Sequence, residues 1–216
     1  MLTKKEIIRS LEDRNYRKLC EIGGKEPGLF RTLISLTYDK EGSLCWRAVE
    51  AIGLLSGVLA GNDPSRVRNL AQRLLWMMRD ESGNNPWSVP EILGEIVRNS
   101  PEEFSDIASI IESFHDEEML RCGVLSALVR IGEVRPDLVA SSSVLVGQYL
   151  RYDDAAVRAQ ALLLAGRLGL KDYISSAEAL VKDRREVRIY RDGDLRTFTV
   201  GQIAEETVIM LREEGT

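Results

Sequence analysis

The chain has 216 residues, of which 44% are hydrophobic and 29% charged, with a formal net charge of −5 and a pI near 5.2. That composition describes a folded, soluble chain with room for one good-sized core or an array of small repeats. The acidic balance opposes general affinity for nucleic acid or anionic lipid. A single histidine, His115, excludes a His-rich metal site and would force any Ser-His or Cys-His mechanism through one residue.

Other features narrow the class. Cys20, Cys45 and Cys122 are an odd number, far apart and without a C-x-x-C pair, which suits reduced thiols and a cytoplasmic location. The opening MLTKKEIIRSLEDRNY carries charges where a secretory signal needs an apolar segment. No apolar run is expected to reach the roughly 18 residues needed to cross a bilayer. Glycine-rich phosphate loops and the G-x-S-x-G elbow are absent.

Residues 1–40 hold apolar stripes (Ile7, Ile8, Leu11, then Leu29, Leu33, Ile34, Leu36) split by Gly23-Gly24 and Pro27-Gly28, predicting two or three short capping helices. Four segments then align without gaps, beginning at Leu44, Asn85, Leu120 and Val157, spaced 41, 35 and 37 residues apart. Offsets 0, 4, 7, 8 and 11 of each should face a core, the spacing of one helical stripe. They read Leu44, Ala48, Ala51, Ile52, Leu55; Asn85, Val89, Ile92, Leu93, Ile96; Leu120, Val124, Ala127, Leu128, Ile131; and Val157, Ala161, Leu164, Ala165, Leu168. Only Asn85 is polar.

Second amphipathic stretches follow each segment, over Pro64–Arg79, Pro101–Phe114, Pro136–Leu150 and Lys171–Lys182. Asp63 and Ser100 are N-cap residues with proline at the first helical position. Residues 41–183 therefore predict four helix pairs, each dependent on its neighbours to bury its stripe. Beyond them, EVRIYRDGDLRTFTV alternates β-formers around Asp192-Gly193, a two-residue hairpin signal that sets Tyr190 opposite Leu195. A closing helix is predicted from about Val200 to Leu211. The expected fold is an all-α, right-handed α-α superhelix forming one solenoid domain over 1–216, with a small β-hairpin and helix as C-terminal cap over 184–216.

VRAQALLLAGRLG, from Val157-Arg158 to Leu168-Gly169, resembles the first helix of a HEAT-like repeat, of the short bacterial subtype also found in phycobilin lyases. Leu120-Arg121 with Arg130-Ile131-Gly132 resembles the same pattern, whereas the first two segments carry Cys45 and Pro86 in place of the opening arginine. The resemblance covers roughly residues 41–183. It implies a bacterial or archaeal recognition scaffold of the armadillo-like kind rather than any particular chemistry.

Candidate functional residues lie on the helix faces away from the core stripe. Trp46 and Trp87 share one repeat offset, and Glu50 and Glu91 follow each four residues on. This Trp/Glu row reads either as a docking surface or as the flank on which neighbouring repeats and loops pack. On the second helix after Asp63, Asn69, Arg73, Trp76 and Asp80 oppose the buried stripe of Val67, Leu70, Leu74 and Met78, facing the concave side of such a solenoid. Trp76 reads equally as packing on the following loop at 81–86. His115 sits between two helices and reads as a solvated junction residue, and the acids of 102–118 as a solvated face.

The expected function is a non-catalytic scaffold that binds another protein or peptide through the concave face or the Trp/Glu row. No cofactor, metal, nucleic acid or membrane partner is expected. Two alternatives are a DNA glycosylase built on HEAT-like repeats, opposed by the acidic charge, and a lyase-type accessory protein that handles a cofactor.

Overall fold

The structure is a computed structural model that describes residues 2–26, 28–79 and 88–213. The chain divides into two compact units. One comprises residues 1–107 with the hairpin tip 190–195, and the other residues 108–189 with 196–216.

The first unit opens on three short helices, α1 (Lys4–Glu12), α2 (Tyr16–Gly23) and α3 (Leu29–Ser35). The first is set by a capping box: the Thr3 hydroxyl accepts from the Glu6 amide, and the Glu6 carboxylate accepts from the Thr3 amide. All three pack on α4 (Ser43–Ala60), which in turn lies along α5 (Pro64–Met78) and α6 (Val89–Asn99). As the sequence predicts, Asp63 caps α5, its carboxylate accepting from the Arg66 amide at 3.1 Å, with Pro64 in the first turn. Ala48, Ala51, Ile52 and Leu55 of α4 are buried, as are Val89, Ile92, Leu93 and Ile96 of α6. Leu44 is half-buried, and Asn85 lies outside the described residues.

Two expectations need correction in this unit. With 18 residues, α4 is long and apolar enough to cross a bilayer, although Arg47 and Glu50 interrupt its apolar run. More than half of it is buried, because helices pack on it from several sides, so its length and composition are those of a core helix. The first-row helices also lack a single buried stripe. Every residue of α6 from Val89 to Val97 is buried, including Glu91 and Glu95.

Gly53 makes this close packing possible. A Cβ there would come within 2.7 Å of the Glu95 Cβ on α6, nearer than carbon atoms pack. Gly166 occupies the same repeat offset in the second unit, where a Cβ would meet the Met210 sulfur at 2.9 Å. A small residue at this offset thus admits the next helix in both units.

Helix α7 (Pro101–Glu112) opens as its own sequence predicts but kinks at Phe104, whose φ of −130° leaves the helical region. In the second unit, α8 (Arg121–Gly132) packs on α10 (Ala155–Arg167) through the predicted stripe, with Val124, Ala127, Leu128, Ile131, Val157, Ala161, Leu164 and Ala165 buried. The second members of these pairs are shorter than predicted. A 3₁₀ stretch over Pro136–Ser142 precedes α9 (Ser143–Tyr149), and another over Lys171–Tyr173 precedes α11 (Ile174–Leu180). The serine run at 141–143 marks the first of these breaks: serine competes for its own backbone groups and is a poor interior helix former.

The hairpin forms as predicted from β1 (Glu186–Arg191) and β2 (Asp194–Thr199), an antiparallel pair. Asp192 and Gly193 both adopt positive φ, 55° and 78°, as the two-residue turn requires. The final helix, α12 (Val200–Glu213), buries Val200, Ile203, Ala204, Thr207, Val208 and Leu211. It packs on α10 and α11 as a further helix layer, the capping role its apolar stripe predicts. In each unit, successive helices stack in chain order, so the fold is all-α and solenoid-like with one small hairpin.

Candidate partner-binding groove

The two predicted surfaces fare differently. The Trp/Glu row is taken up within the first unit. Trp46 is half-buried, its indole Nε1 donates to the Lys40 carbonyl at 3.2 Å, and its ring stacks on Tyr190 with centroids 6.0 Å apart. Glu50 accepts the hydroxyl protons of Tyr16 and Tyr190. Glu91, expected beside an exposed indole, is only 5% exposed and pairs with Lys40 Nζ at 2.7 Å. Helix α6 has no solvent face at that point, which is why an off-stripe glutamate ends up buried there. Trp87 lies outside the described residues.

The hairpin tip completes this network. Asp194 receives Arg47 Nη2 at 2.6 Å and also Arg14, and these two guanidinium groups hold its carboxyl below the usual carboxylate range. Arg47 Nε also donates to the Gly193 carbonyl at 2.9 Å. Burial pushes the Tyr16 hydroxyl up to about 12, and it raises that of Tyr190 still further. No local signal announces these contacts, since Glu50 and Tyr190 are 140 residues apart.

The α5 stripe, by contrast, reaches solvent. Asn69 and Arg73 are exposed, and Trp76, three residues on from Arg73, is 67% exposed. Asp80 and the loop at 81–86 lie outside the described residues. Asn69 and Arg73 line a groove of about 700 Å³ between α3 and α5. Phe30 and Ile34 of α3 and Leu70 and Met77 of α5 supply its apolar surface. Phe30 is buried and the other three are half-buried, so they form the base, while Arg31 and Arg73 stand exposed above them on the two helices. Tyr38, 53% exposed, also lines the groove.

Charge in the groove is mostly basic. Arg66 directs its guanidinium to the carbonyls of Gly24 and Gly23 at 3.1 and 3.4 Å, satisfying the end of α2. Asp63, the acid in the lining, is engaged in capping α5. Arg31 and Arg73 form no ion pair among the described residues. The arrangement offers apolar contact together with two free guanidinium groups, a chemistry of binding. The α3 half of this site was legible only as a helix: Arg31 and Ile34 sit one turn apart, but nothing in the sequence brings them to α5.

In the second unit, His115 lies between α7 and α8 as expected, but it is not simply solvated. Its Nδ1 is 2.7 Å from the Tyr149 hydroxyl, which itself donates to the His115 carbonyl at 2.9 Å. Arg121 spans the same junction, its guanidinium 4.7 Å from the centre of the Tyr152 ring. Among the described residues, no group of three or more His, Cys, Asp or Glu side chains could hold a metal ion.

No protein-family model matches the chain, and no curated protein does. Among solved structures, an engineered protein matches with a TM-score of 0.50 at 11% identity, over 100% of this chain and 98% of its own. A HEAT-like repeats protein from the archaeon Thermococcus onnurineus NA1 matches with a TM-score of 0.39, also at 11% identity, over 99% of this chain and 98% of its own. At these identities the first likeness concerns the fold alone.

Proposed function

We propose that the protein is a non-catalytic scaffold of HEAT-like repeats that binds a peptide or protein partner through the groove between α3 and α5. One observation carries this reading: Asn69 and Arg73, singled out on α5 by sequence, line an open groove whose opposite wall supplies Phe30, Ile34 and Arg31. Trp76 extends the same helix face beyond the groove, an exposed aromatic of the kind that anchors interfaces. The Trp46/Glu50 and Glu91 positions support packing within the fold rather than docking: Trp46 Nε1 and Glu50 Oε2 have hydrogen-bond partners there, and Glu91 is buried with Oε1 on Lys40.

Site-directed photocrosslinking tests the reading. A benzoylphenylalanine at Asn69 should trap a partner from native lysate, and one at Ser105, on the exposed face of α7, should not. Replacing Asn69, Arg73 and Trp76 together by alanine should abolish capture with little change in melting temperature, since all three are exposed. Equal trapping at both positions, or capture unaffected by the triple substitution, overturns the assignment.

A further inference from the structure

We infer that the groove between α3 and α5 takes an acidic-apolar peptide segment, one that alternates carboxylate with large apolar side chains. The inference rests on the proposed partner-binding role of the groove and specifies its ligand chemistry. The protein as a whole is acidic, at −5, yet the two unpaired charged side chains over this groove, Arg31 and Arg73, are both cationic. A basic segment would meet one carboxylate there, that of Asp63 at the α5 N-terminus, against the three guanidinium groups of Arg31, Arg66 and Arg73. A segment bearing glutamate or aspartate meets a guanidinium from each helix.

The apolar base sets the second requirement. Ile34, Leu70 and Met77 remain partly exposed side by side in this groove, so a ligand side chain that covers them removes apolar surface from water. Exposed arginine pairs are screened and contribute modestly, so the apolar contacts supply most of the affinity and the arginines the selectivity.

The same carboxylate-plus-apolar chemistry could come from a peptide or from a fatty acid. A peptide is favoured because Ser65 and the Asn69 amide also face the groove and are exposed. Their donors and acceptors suit a peptide backbone and have no counterpart in an alkyl chain.

Fluorescence anisotropy with the full chain tests the inference. The probe is a labelled heptapeptide of alternating glutamate with leucine or phenylalanine, compared with its glutamine and lysine counterparts and with octanoate as competitor. The glutamate peptide should bind about tenfold more tightly than the glutamine form, the lysine form more weakly still, and octanoate should compete poorly. Arg31→Ala and Arg73→Ala should each weaken the glutamate peptide about three- to fivefold, and about 0.5 M salt should erase most of the difference between peptides.

Equal affinity for the glutamate and glutamine peptides, with binding still lost in Leu70→Ser, overturns the acidic preference and leaves the scaffold role standing. Failure of all three peptides to bind overturns both. Strong competition by octanoate that depends on Arg31 and Arg73 assigns the groove to a small organic acid and overturns the peptide inference.

Discussion

Glu50 Oε2 accepts the Tyr190 hydroxyl at 2.6 Å and the Tyr16 hydroxyl at 2.8 Å, so one carboxylate on α4 ties the hairpin tip and α2 into the first unit. Glu50→Ala leaves two half-buried phenols without their acceptor and should destabilise the protein by about 2 kcal/mol, read from urea unfolding. Glu50→Gln keeps an acceptor oxygen and should cost less. Equal losses in the two variants would show that charge rather than hydrogen bonding holds the tip.

Alkaline pH should destabilise the protein through Tyr16 of this cluster and through Cys45, which lies apart from it against Thr37 and Ser88. Tyr16 is raised from 10.0 to about 12, chiefly by burial, and Cys45 from 9.0 to about 11 for the same reason. Both groups are neutral in the folded state with raised pKa values. Their contribution is therefore complete below the unfolded values and is lost as pH rises through the window from about 9 to 12. Unfolding free energy measured across that range should fall, and Tyr16→Phe should flatten its upper half. A flat profile in the parent protein would contradict the burial of these groups.

On the acid side, Asp183 is held by two arginines, Arg185 and the buried Arg158. Arg158 is 3% exposed, its Nη2 lies 3.1 Å from Asp183 Oδ2, and Arg185 pairs with the same carboxylate at 2.8 Å. The Arg185 hydrogen bonds hold Asp183 down at about 2. A depressed carboxyl stabilises the fold above its unfolded value, and the contribution is lost as pH falls through about 2. Asp183→Ala strands the buried Arg158 charge and should cost about 3 kcal/mol, whereas Asp183→Ala with Arg158→Met should recover much of it. Additive losses in the double variant would rule out this coupling.

Glycine contacts give a steric test. A Cβ at Gly201 would lie 2.3 Å from the Val181 carbonyl oxygen, where the Gly201 amide also donates to the Asp183 carbonyl at 2.9 Å. Backbone cannot yield as a side chain does, so Gly201→Ala should lower stability by about 2–3 kcal/mol. Gly53→Ala, pressed against Glu95, should cost a similar amount. Gly42→Ala, with nothing near it, is the control and should change the melting temperature little.

Thiol labelling separates the cysteines. Cys45 is buried, its Sγ within 3.4 Å of the Thr37 carbonyl oxygen, while Cys20 and Cys122 are half-buried. A disulfide reagent should modify Cys20 and Cys122 in the native state and Cys45 only after unfolding. Native labelling of Cys45 at a comparable rate would indicate local opening of α4.

Helix pairing, the cap of α5, the Asp192-Gly193 turn and the closing helix were all legible along the chain. Each depends on neighbours a few residues apart: a stripe at helical spacing, an N-cap followed by proline, a turn that demands positive φ. The α5 half of the groove was legible on the same terms, since Asn69, Arg73 and Trp76 simply oppose the buried face of their own helix. Tertiary structure decided the rest. It buried Glu91 on a helix enclosed on every side, closed Trp46 against Tyr190, and set Arg31 of α3 across from Arg73. Such outcomes depend on which surfaces meet across long stretches of chain, and residue periodicity records only that a helix has a buried side, not which neighbour will cover its others.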